Sequence, residues 1–391
     1  MNEARAVPIG ELVEIVGGGT PTRSNPDYFG GDIPWVTPKD MKSWIIDNSQ
    51  VCITRLGLNE SAARLVKANS ILVVVRSGVL KHTLPVGLNR VPVAVNQDMK
   101  ALIPSDAVDP AYLARYIKAK SPEILSWVRA TTADNFPIDK LRALKVPLPS
   151  MSQQRRVVDA LDRVDALRAS RREVTTALGE LERSLFFEMF GDPAWNPKAW
   201  PIVRIGDLIV SATYGTSEKA SLVGELPILR MGNLTYGGEL NLEDLKYLAS
   251  ATIGDRYLVS AGDVLFNRTN SAELVGKSAI YRRQEPMGYA GYLVRLRVNS
   301  QTNPEYLAAY LNTRYCKQVL RGMAKSIVGM ANINAKEVQS IAIPQPPLSL
   351  QDEFAARVAQ IESLRVPHKA SLAELDALFA SLQDRAFRGE L

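Results

Sequence analysis

Two stretches of the chain carry apolar residues at alternating steps of three and four. In the first, from about Ser152 to Phe190, these are Val157, Leu161, Val164, Leu167, Val174, Leu178, Leu181, Leu185 and Met189, with no proline and only Gly179 to interrupt. The second, from about Ser349 to Phe387, has Phe354, Val358, Ile361, Leu364, Leu372, Leu375, Leu378 and Leu382. Such spacing predicts two long amphipathic helices with coiled-coil-like seams. Pro367 is expected to kink or interrupt the second. About 38 residues rising about 1.5 Å each make a rod of about 57 Å. A stripe this narrow does not stay in water, so the two rods are expected to pack on each other. Leu161, Val164, Leu178, Leu181 and Leu185 would face Val358, Ile361, Leu372, Leu375 and Leu382. The alternative, each stripe packing only on its own domain, is disfavoured: one domain core does not need nearly 40 helical residues twice over.

Ahead of each rod the pattern changes. Short β-branched runs such as Ile71 to Val75 and Val264 to Phe266 alternate with Gly, Pro and Asn, which predicts sheets joined by turns. Asp109-Pro110 and Asn303-Pro304 read as helix starts, with an N-cap residue followed by proline in the first turn. Each globular part is therefore α+β.

The chain is also written twice. Val146-Pro-Leu-Pro-Ser-Met-Ser-Gln-Gln154 realigns without a gap on Ile343-Pro-Gln-Pro-Pro-Leu-Ser-Leu-Gln351, an offset of 197. Asp109 to Tyr116 matches Asn303 to Tyr310 at 194, Ile33 to Val36 matches Leu226 to Leu229 at 193, and Val75 to Gly78 matches Asn267 to Asn270 at 192. This drift is what loop insertions leave between two diverged copies of one plan. With a pseudo-twofold axis relating the copies, the rods run antiparallel and hold one globular domain at each end. The divisions fall at residues 1–150, 151–191, 192–348 and 349–391.

Length and composition agree with two or three globular domains: 391 residues, 46% hydrophobic and 23% charged. The longest aliphatic run, Ile71 to Val75, is far too short for a membrane span, and the first residues have no apolar signal core. A cytoplasmic location is expected. Two cysteines, Cys52 and Cys316, and two histidines, His82 and His368, lie in four distant segments, against the local pairing of zinc motifs, so no metal is expected. A net charge of +6 is compatible with a polyanionic partner and weak by itself.

Three strings resemble catalytic motifs and fail. Ser271 to Ser278 is one residue short of a phosphate-binding loop and leads into a strand pattern instead of a helix. Asn25-Pro-Asp-Tyr28 resembles a base-clamping loop of adenine methyltransferases, but Gly17 to Gly19 is too near to be its cofactor loop. Asp27 and Asp40-Met-Lys42 satisfy only the loose spacing of a metal-dependent nuclease.

The remaining chemistry is nucleic-acid contact. Arg76 and Arg268 hold equivalent places after a buried-looking strand, each followed by a hydroxyl residue, Ser77 or Thr269. An arginine fork grips a phosphate or reads the O6 and N7 edge of guanine. Lys81, Asn96, Gln97, Thr131, Thr132 and Asn135 surround the first, and Asn270, Lys277, Tyr292, Lys325, Ser326 and Asn332 the second. Arg230 and Asn233 join the second set as the counterparts of Thr37 and Asp40. As loop residues, the Asn and Thr side chains serve equally well as turn formers.

The order of these blocks, repeated twice, resembles the specificity subunits of Type I restriction-modification systems over essentially the whole chain. Gly30 to Met41 is similar to the opening block of the family's target recognition domains, and Arg76-Ser-Gly leading to Asn96-Gln97-Asp98 to its middle block. Val146 to Pro149 before Gln153-Gln154, and Pro344 to Pro347 before Gln351, resemble its entry into the conserved helices. Phe190-Gly191-Asp192 and Ala386 to Leu391 resemble the helix ends. The resemblance implies a subunit without catalytic activity that carries two target recognition domains, residues 1–150 and 192–348. Each would read half of a split double-stranded DNA target, with the helices at 151–191 and 349–391 as a ruler. It also implies docking of two methyltransferase subunits, which bring S-adenosylmethionine, and of a motor-nuclease restriction subunit. Trp35, Thr37 and Asp40 become Ile228, Arg230 and Asn233 in the second copy, so the two half-sites are expected to differ. The competing classes are a nuclease or adenine methyltransferase with its own active site, and a coiled-coil scaffold for other proteins.

Overall fold

The computed structural model describes residues 5–129, 134–249, 253–271, 274–327 and 330–390; side chains at 325–330 are not described. Two compact units divide the chain, one made of Met1–Ser170 with Leu372–Leu391, the other of Arg171–Ser371.

The first unit is built on a five-stranded sheet whose order is Val13–Gly17, Met99–Pro104, Ile71–Val74, Val86–Asn89 and Ile45–Ile46. We label Ile71–Val74 β1 and Met99–Pro104 β2; they pair antiparallel with Ala101 opposite Leu72. All four residues of β1 are buried, as its unbroken aliphatic run requires. A second sheet orders Cys52–Ile53, Phe29–Val36, Val93–Val95 and Leu65–Val66. Helix α1, Pro110–Ala119, starts where the sequence places it: Asp109 accepts from the amides of Ala111 and Tyr112. It packs Tyr112, Leu113, Tyr116 and Ile117 into the core.

The long helix α2 spans Met151–Phe190. Its early residues Val157, Val158 and Leu161 belong to the core of the first unit, together with Ala386 and, at the edge, Phe379, Leu382 and Phe387 from the end of the chain.

The second unit repeats the plan. Its main sheet orders Ile209–Tyr214, Leu293–Val298, Val264–Asn267 and Ser278–Ile280, all antiparallel. Here β3 is Val264–Asn267 and β4 is Leu293–Val298. The companion sheet orders Lys246–Leu248, Leu226–Leu229, Met287–Tyr289 and Leu258–Val259. Helix α3, Pro304–Asn312, is capped by Asn303. Helix α4 spans Leu348–Phe387 and continues through Pro367. That differs from the expected interruption. A proline forfeits one backbone hydrogen bond, which a long packed helix tolerates.

Within the second unit the two helices run in opposite directions: Arg171 lies at His368, Glu182 at Arg365 and Phe186 at Phe354. The seam is not the expected row of leucines. Leu185, Val358 and Ile361 are in the core and Leu178 packs at its edge. Leu161 and Val164 are buried in the first unit, and Leu372, Leu375 and Leu382 are half-buried. Leu181, however, is 52% exposed, and Leu167, Leu364 and Leu378 are also exposed. The reason is the helix period. At about 100° per residue, the buried line through Leu178, Leu185 and Met189 passes position 182 and leaves 181 on its flank. Position 182 is a glutamate paired with the buried Arg365, which also binds Glu239 and Glu362. In the first unit Arg168 pairs with Asp165 and Asp376 and lies 4.4 Å from the Phe379 ring. Within each unit, ion pairs thus stand beside the apolar packing of the helices.

Candidate nucleic-acid interface

Each unit brings one arginine to the end of a buried strand and faces it with an asparagine. In the first, Arg76 follows β1 and forms a bridge with Asn135, which in turn bridges Arg129. In the second, Arg268 follows β3, Thr269–Asn270 pairs with Met330–Asn332, and that strand pairs with Lys325–Ile327. The backbone anchors repeat as well. The Arg76 amide donates to the Asp98 carbonyl at 3.1 Å, and the Arg268 amide to the Tyr292 carbonyl at 3.0 Å.

Around Arg76 the side chains form a chain of polar contacts. Its Nε donates to Asp98 Oδ1 at 2.6 Å, while Asn96 Nδ2 donates to Asp98 Oδ2 at 3.1 Å. Asn96 is 6% exposed and its Oδ1 accepts the Asp98 amide at 3.1 Å. Gln97 is exposed, and the Thr20 hydroxyl donates to its Oε1. Ser77 caps the short 3-10 helix Gly78–Lys81, and Lys81 lies 3.8 Å from Asp134 with its side chain mostly in solvent.

Arg268 is held differently. Its guanidinium carbon is 4.7 Å from the Tyr214 ring centre, Nη2 donates to Asn332 Oδ1 at 3.3 Å, and its Nε is buried without a partner among the described residues. Tyr214 is fixed in turn by accepting the Ala335 amide at 2.9 Å. Tyr292, at the place of Asp98, is 54% exposed. Thr269 and Asn270 shape the turn, the Thr269 amide donating to Asn267 Oδ1 and the Ser271 amide to Asn270 Oδ1. Lys277 is half-buried, and its carbonyl accepts the Asn267 amide.

The hairpin bearing Arg268 rests on an unusual anchor. Lys317, 6% exposed, donates from Nζ to the Gly276 carbonyl at 2.5 Å, and Nζ is 5.6 Å from the Tyr236 ring. Burial, with Arg321 and Lys277 adding repulsion, pushes its pKa down to about 8.

Two candidates are spent inside the protein. Asn233 is 3% exposed, its Nδ2 donating to the Asn241 and Asp244 carbonyls while its Oδ1 accepts the Arg230 amide. It staples a loop, as Asp40 does by accepting the Thr37 amide at 2.8 Å. Asn96 likewise orients Asp98 and presents little to solvent. Arg230 binds Asp244 through Nη2. Thr131 and Thr132 lie outside the described residues, and Lys325 and Ser326 are placed by their backbone alone.

The sequence pattern missed three residues. Arg129, exposed, is the backbone counterpart of Lys325; Asp98 holds Arg76; Tyr214 carries Arg268. Only Arg129 left a usable signal, as a cation near the Asn135 block. The strings that resembled catalytic motifs have structural uses. Asn25 caps the turn Pro26–Tyr28, the carboxylate of Asp40 accepts Thr37 and Gln50, and Ser278–Ile280 is a strand. Among the described residues no cluster of His, Cys, Asp and Glu could hold a metal ion, and no helix is long and apolar enough to cross a membrane.

A family model for the Type I restriction modification DNA specificity domain matches residues 1–177 and 197–375. The EcoR124I/EcoR124II specificity subunit of Escherichia coli is 38% identical over 162 residues, covering 41% of this chain and 40% of the relative. The MjaIX specificity subunit of Methanocaldococcus jannaschii is 26% identical over 273 residues, 61% of this chain and 62% of the relative. The chain thus spans less than two thirds of the length of either. Among solved structures, the S subunit of a Type I restriction-modification system from M. genitalium superposes with a TM-score of 0.63 at 14% identity, covering 99% of this chain and 96% of that one. A chain from a structural study of the assembly and conformational transition of the type I R-M system gives 0.52 at 18% identity, covering 100% and 99%. At these identities the likeness is one of fold.

Proposed function

Because the chain belongs to the Type I restriction modification DNA specificity family, we propose that it is a sequence-reading subunit of a DNA modification and restriction complex, without chemistry of its own. Each unit reads one half of a split, asymmetric target on double-stranded DNA. The observation that carries this reading is the arginine–asparagine junction built twice at the end of a buried strand, with different companions in each unit. A junction kept in place while its companions change is the arrangement needed for two readers of different half-sites. The relatives in Escherichia coli and Methanocaldococcus jannaschii are named specificity subunits of Type I restriction enzymes, which supports the same role.

In this reading residues 1–150 and 192–348 are the target recognition domains, and the helices at 151–191 and 349–391 set the gap between half-sites. Two methyltransferase subunits, carrying S-adenosylmethionine, dock on the chain and methylate adenine; a motor-nuclease subunit joins for cleavage. The work is done in the cytoplasm, where the DNA is. Two modules fixed on one duplex multiply their specificities, since the second binds at high effective concentration when its groove is in phase.

The test is methylome sequencing of cells that express this chain with its methyltransferase partner. A two-part asymmetric motif with a fixed gap is expected; a continuous palindrome overturns the reading. A salt titration of DNA binding separates it from a protein scaffold, because phosphate contacts make affinity fall steeply with salt.

A further inference from the structure

The geometry around Arg76 points to a single base. We propose that Arg76 is the guanine-reading residue of the first unit and that Asp98 is its positioning residue. The inference rests on the DNA-reading function above and goes beyond it by assigning a base and a residue pair.

Three features exclude the plainer use of Arg76 as a phosphate grip. First, its charge is already matched: Nε donates to Asp98 Oδ1 at 2.6 Å. A phosphate brought to this arginine would face the carboxylate too, so the pair is a poor anion site. Second, the guanidinium is aimed. Its Nε is tied to the Asp98 carboxylate, and the other oxygen of that carboxylate accepts from the buried Asn96. Phosphate steering does not need a guanidinium held in one orientation by a braced carboxylate; reading a base edge does. Third, among the described residues the two Nη groups take no partner, and the side chain is 48% exposed. With Nε occupied, four N–H donors remain on the two Nη groups, and the outer pair, one from each, point the same way side by side.

Two adjacent donors select guanine. Its major-groove edge presents two adjacent acceptors, O6 and N7, whereas adenine offers one acceptor beside a donor and each pyrimidine at most one acceptor. Gln97 reinforces the choice of a base edge. Its Oε1 already accepts the Thr20 hydroxyl, leaving its amide N–H groups for a neighbouring acceptor.

The second unit does not share the device. Arg268 has one Nη2 bond to Asn332, lies on Tyr214, and finds Tyr292 where Asp98 would be. The assignment is therefore confined to one half-site, which makes it testable within one molecule.

The experiment selects duplexes from a randomised pool with the full chain, wild type against Arg76→Ala, Asp98→Asn and Arg76→Lys. The wild type is expected to select a two-part motif with a guanine in one half. Arg76→Ala reduces the preference for that guanine by about tenfold or more, the range of a lost bidentate contact, and leaves the other half unchanged. Asp98→Asn retains the arginine and lowers the same preference several-fold; Arg76→Lys does not restore it. If Arg76→Ala leaves the motif intact, if the motif has no guanine dependent on it, or if affinity for all sequences falls together with a shallower salt slope, the inference is overturned while the reading function stands. If the wild type shows no sequence preference and no salt dependence, the reading function itself falls.

Discussion

The two units share a buried polar network at the proline-rich joint and differ at the exposed strand-end arginines. At the proline-rich joint the same bonds recur at matching positions. Gln154 Oε1 accepts the Asp109 amide at 2.8 Å and its Nε2 donates to the Pro149 carbonyl at 2.9 Å; Gln351 does the same for Asn303 and Pro346 at 2.9 and 2.8 Å. Tyr112 and Tyr306 donate to the carbonyls of Pro147 and Pro344, and Tyr116 and Tyr310 to those of Lys145 and Ala342. At the strand-end arginines, by contrast, an ion pair in one unit stands against an aromatic stack in the other. A buried polar network cannot lose one member without stranding another. An exposed junction has water as an alternative partner and is free to diverge.

The largest difference lies in how a long-helix end is seated. Phe190 is 3% exposed in the second unit, with ring centres of Tyr306, Phe186 and Phe354 at 4.8, 5.1 and 5.2 Å. Its counterpart Phe387 is half-buried in the first unit against Tyr116 and Tyr112 at 5.2 and 5.5 Å. Phe190→Ala is expected to cost about 3–5 kcal/mol and Phe387→Ala distinctly less. Denaturant unfolding of the full chain measures both; equal losses would mean that the extra rings add nothing.

Next is the buried lysine. Lys317 occupies the helical place that Ile124 has in the first unit, each amide donating to the carbonyl four residues back, Thr313 or Lys120. Its folded pKa of about 8 lies below the ordinary 10.5. The folded chain therefore releases this proton first, and between pH 8 and 10.5 the unfolded chain binds more protons. Stability contributed by this group rises with pH across that window, by about 3 kcal/mol in all, and below pH 8 the cost of burying the charge is fully present. Lys317→Ile, which copies the first unit, is expected to abolish the rise. Unfolding free energies at pH 7, 9 and 10.5 check it; an unchanged slope would show that the ammonium is hydrated.

The joint yields the matched case. Gln154→Leu and Gln351→Leu each strand a partly buried amide and a carbonyl, at a cost of about 1–3 kcal/mol per variant. The two losses are expected to agree, and a clear inequality measured by thermal unfolding would break the equivalence of the joints.

These contrasts also explain what the sequence could reveal. The duplication was readable because buried networks kept their residues in register, and so were the long helices, at Met151–Phe190 and Leu348–Phe387. The paired Arg76 and Arg268 emerged from the same register. The seam was misread at Leu181 because a leucine at a step of three looks internal until the helix drift is counted and Glu182 is seen to pair with Arg365. Asn96 and Asn233 were read as contacts because an asparagine in a loop does not declare whether its amide faces water or backbone carbonyls. Asp98, legible only as part of the middle block, and Tyr214 give no contact signal because each reaches its arginine through strand pairing, and Tyr214 corresponds to Gly17 in the other copy, opposite Lys100 where Tyr214 faces Val294.

That last correspondence gives the smallest and most specific test. Gly17 offers Arg76 no ring, and Asp98 supplies the restraint; in the second unit Tyr214 supplies it and no carboxylate stands at Tyr292. With Arg268 half-buried and Tyr214 partly open to solvent, the stack contributes about 1 kcal/mol. Tyr214→Leu keeps the apolar surface but removes the ring face and the hydroxyl that accepts the Ala335 amide. Binding to duplexes altered in one half-site at a time should show a loss of a few-fold confined to the half read by the second unit. A loss spread over both halves would mean that Tyr214 supports the fold of its sheet more than the aim of Arg268. Tyr214→Phe separates the two contributions, since it restores the ring and leaves the amide unpaired: recovery of the lost discrimination assigns it to the stack.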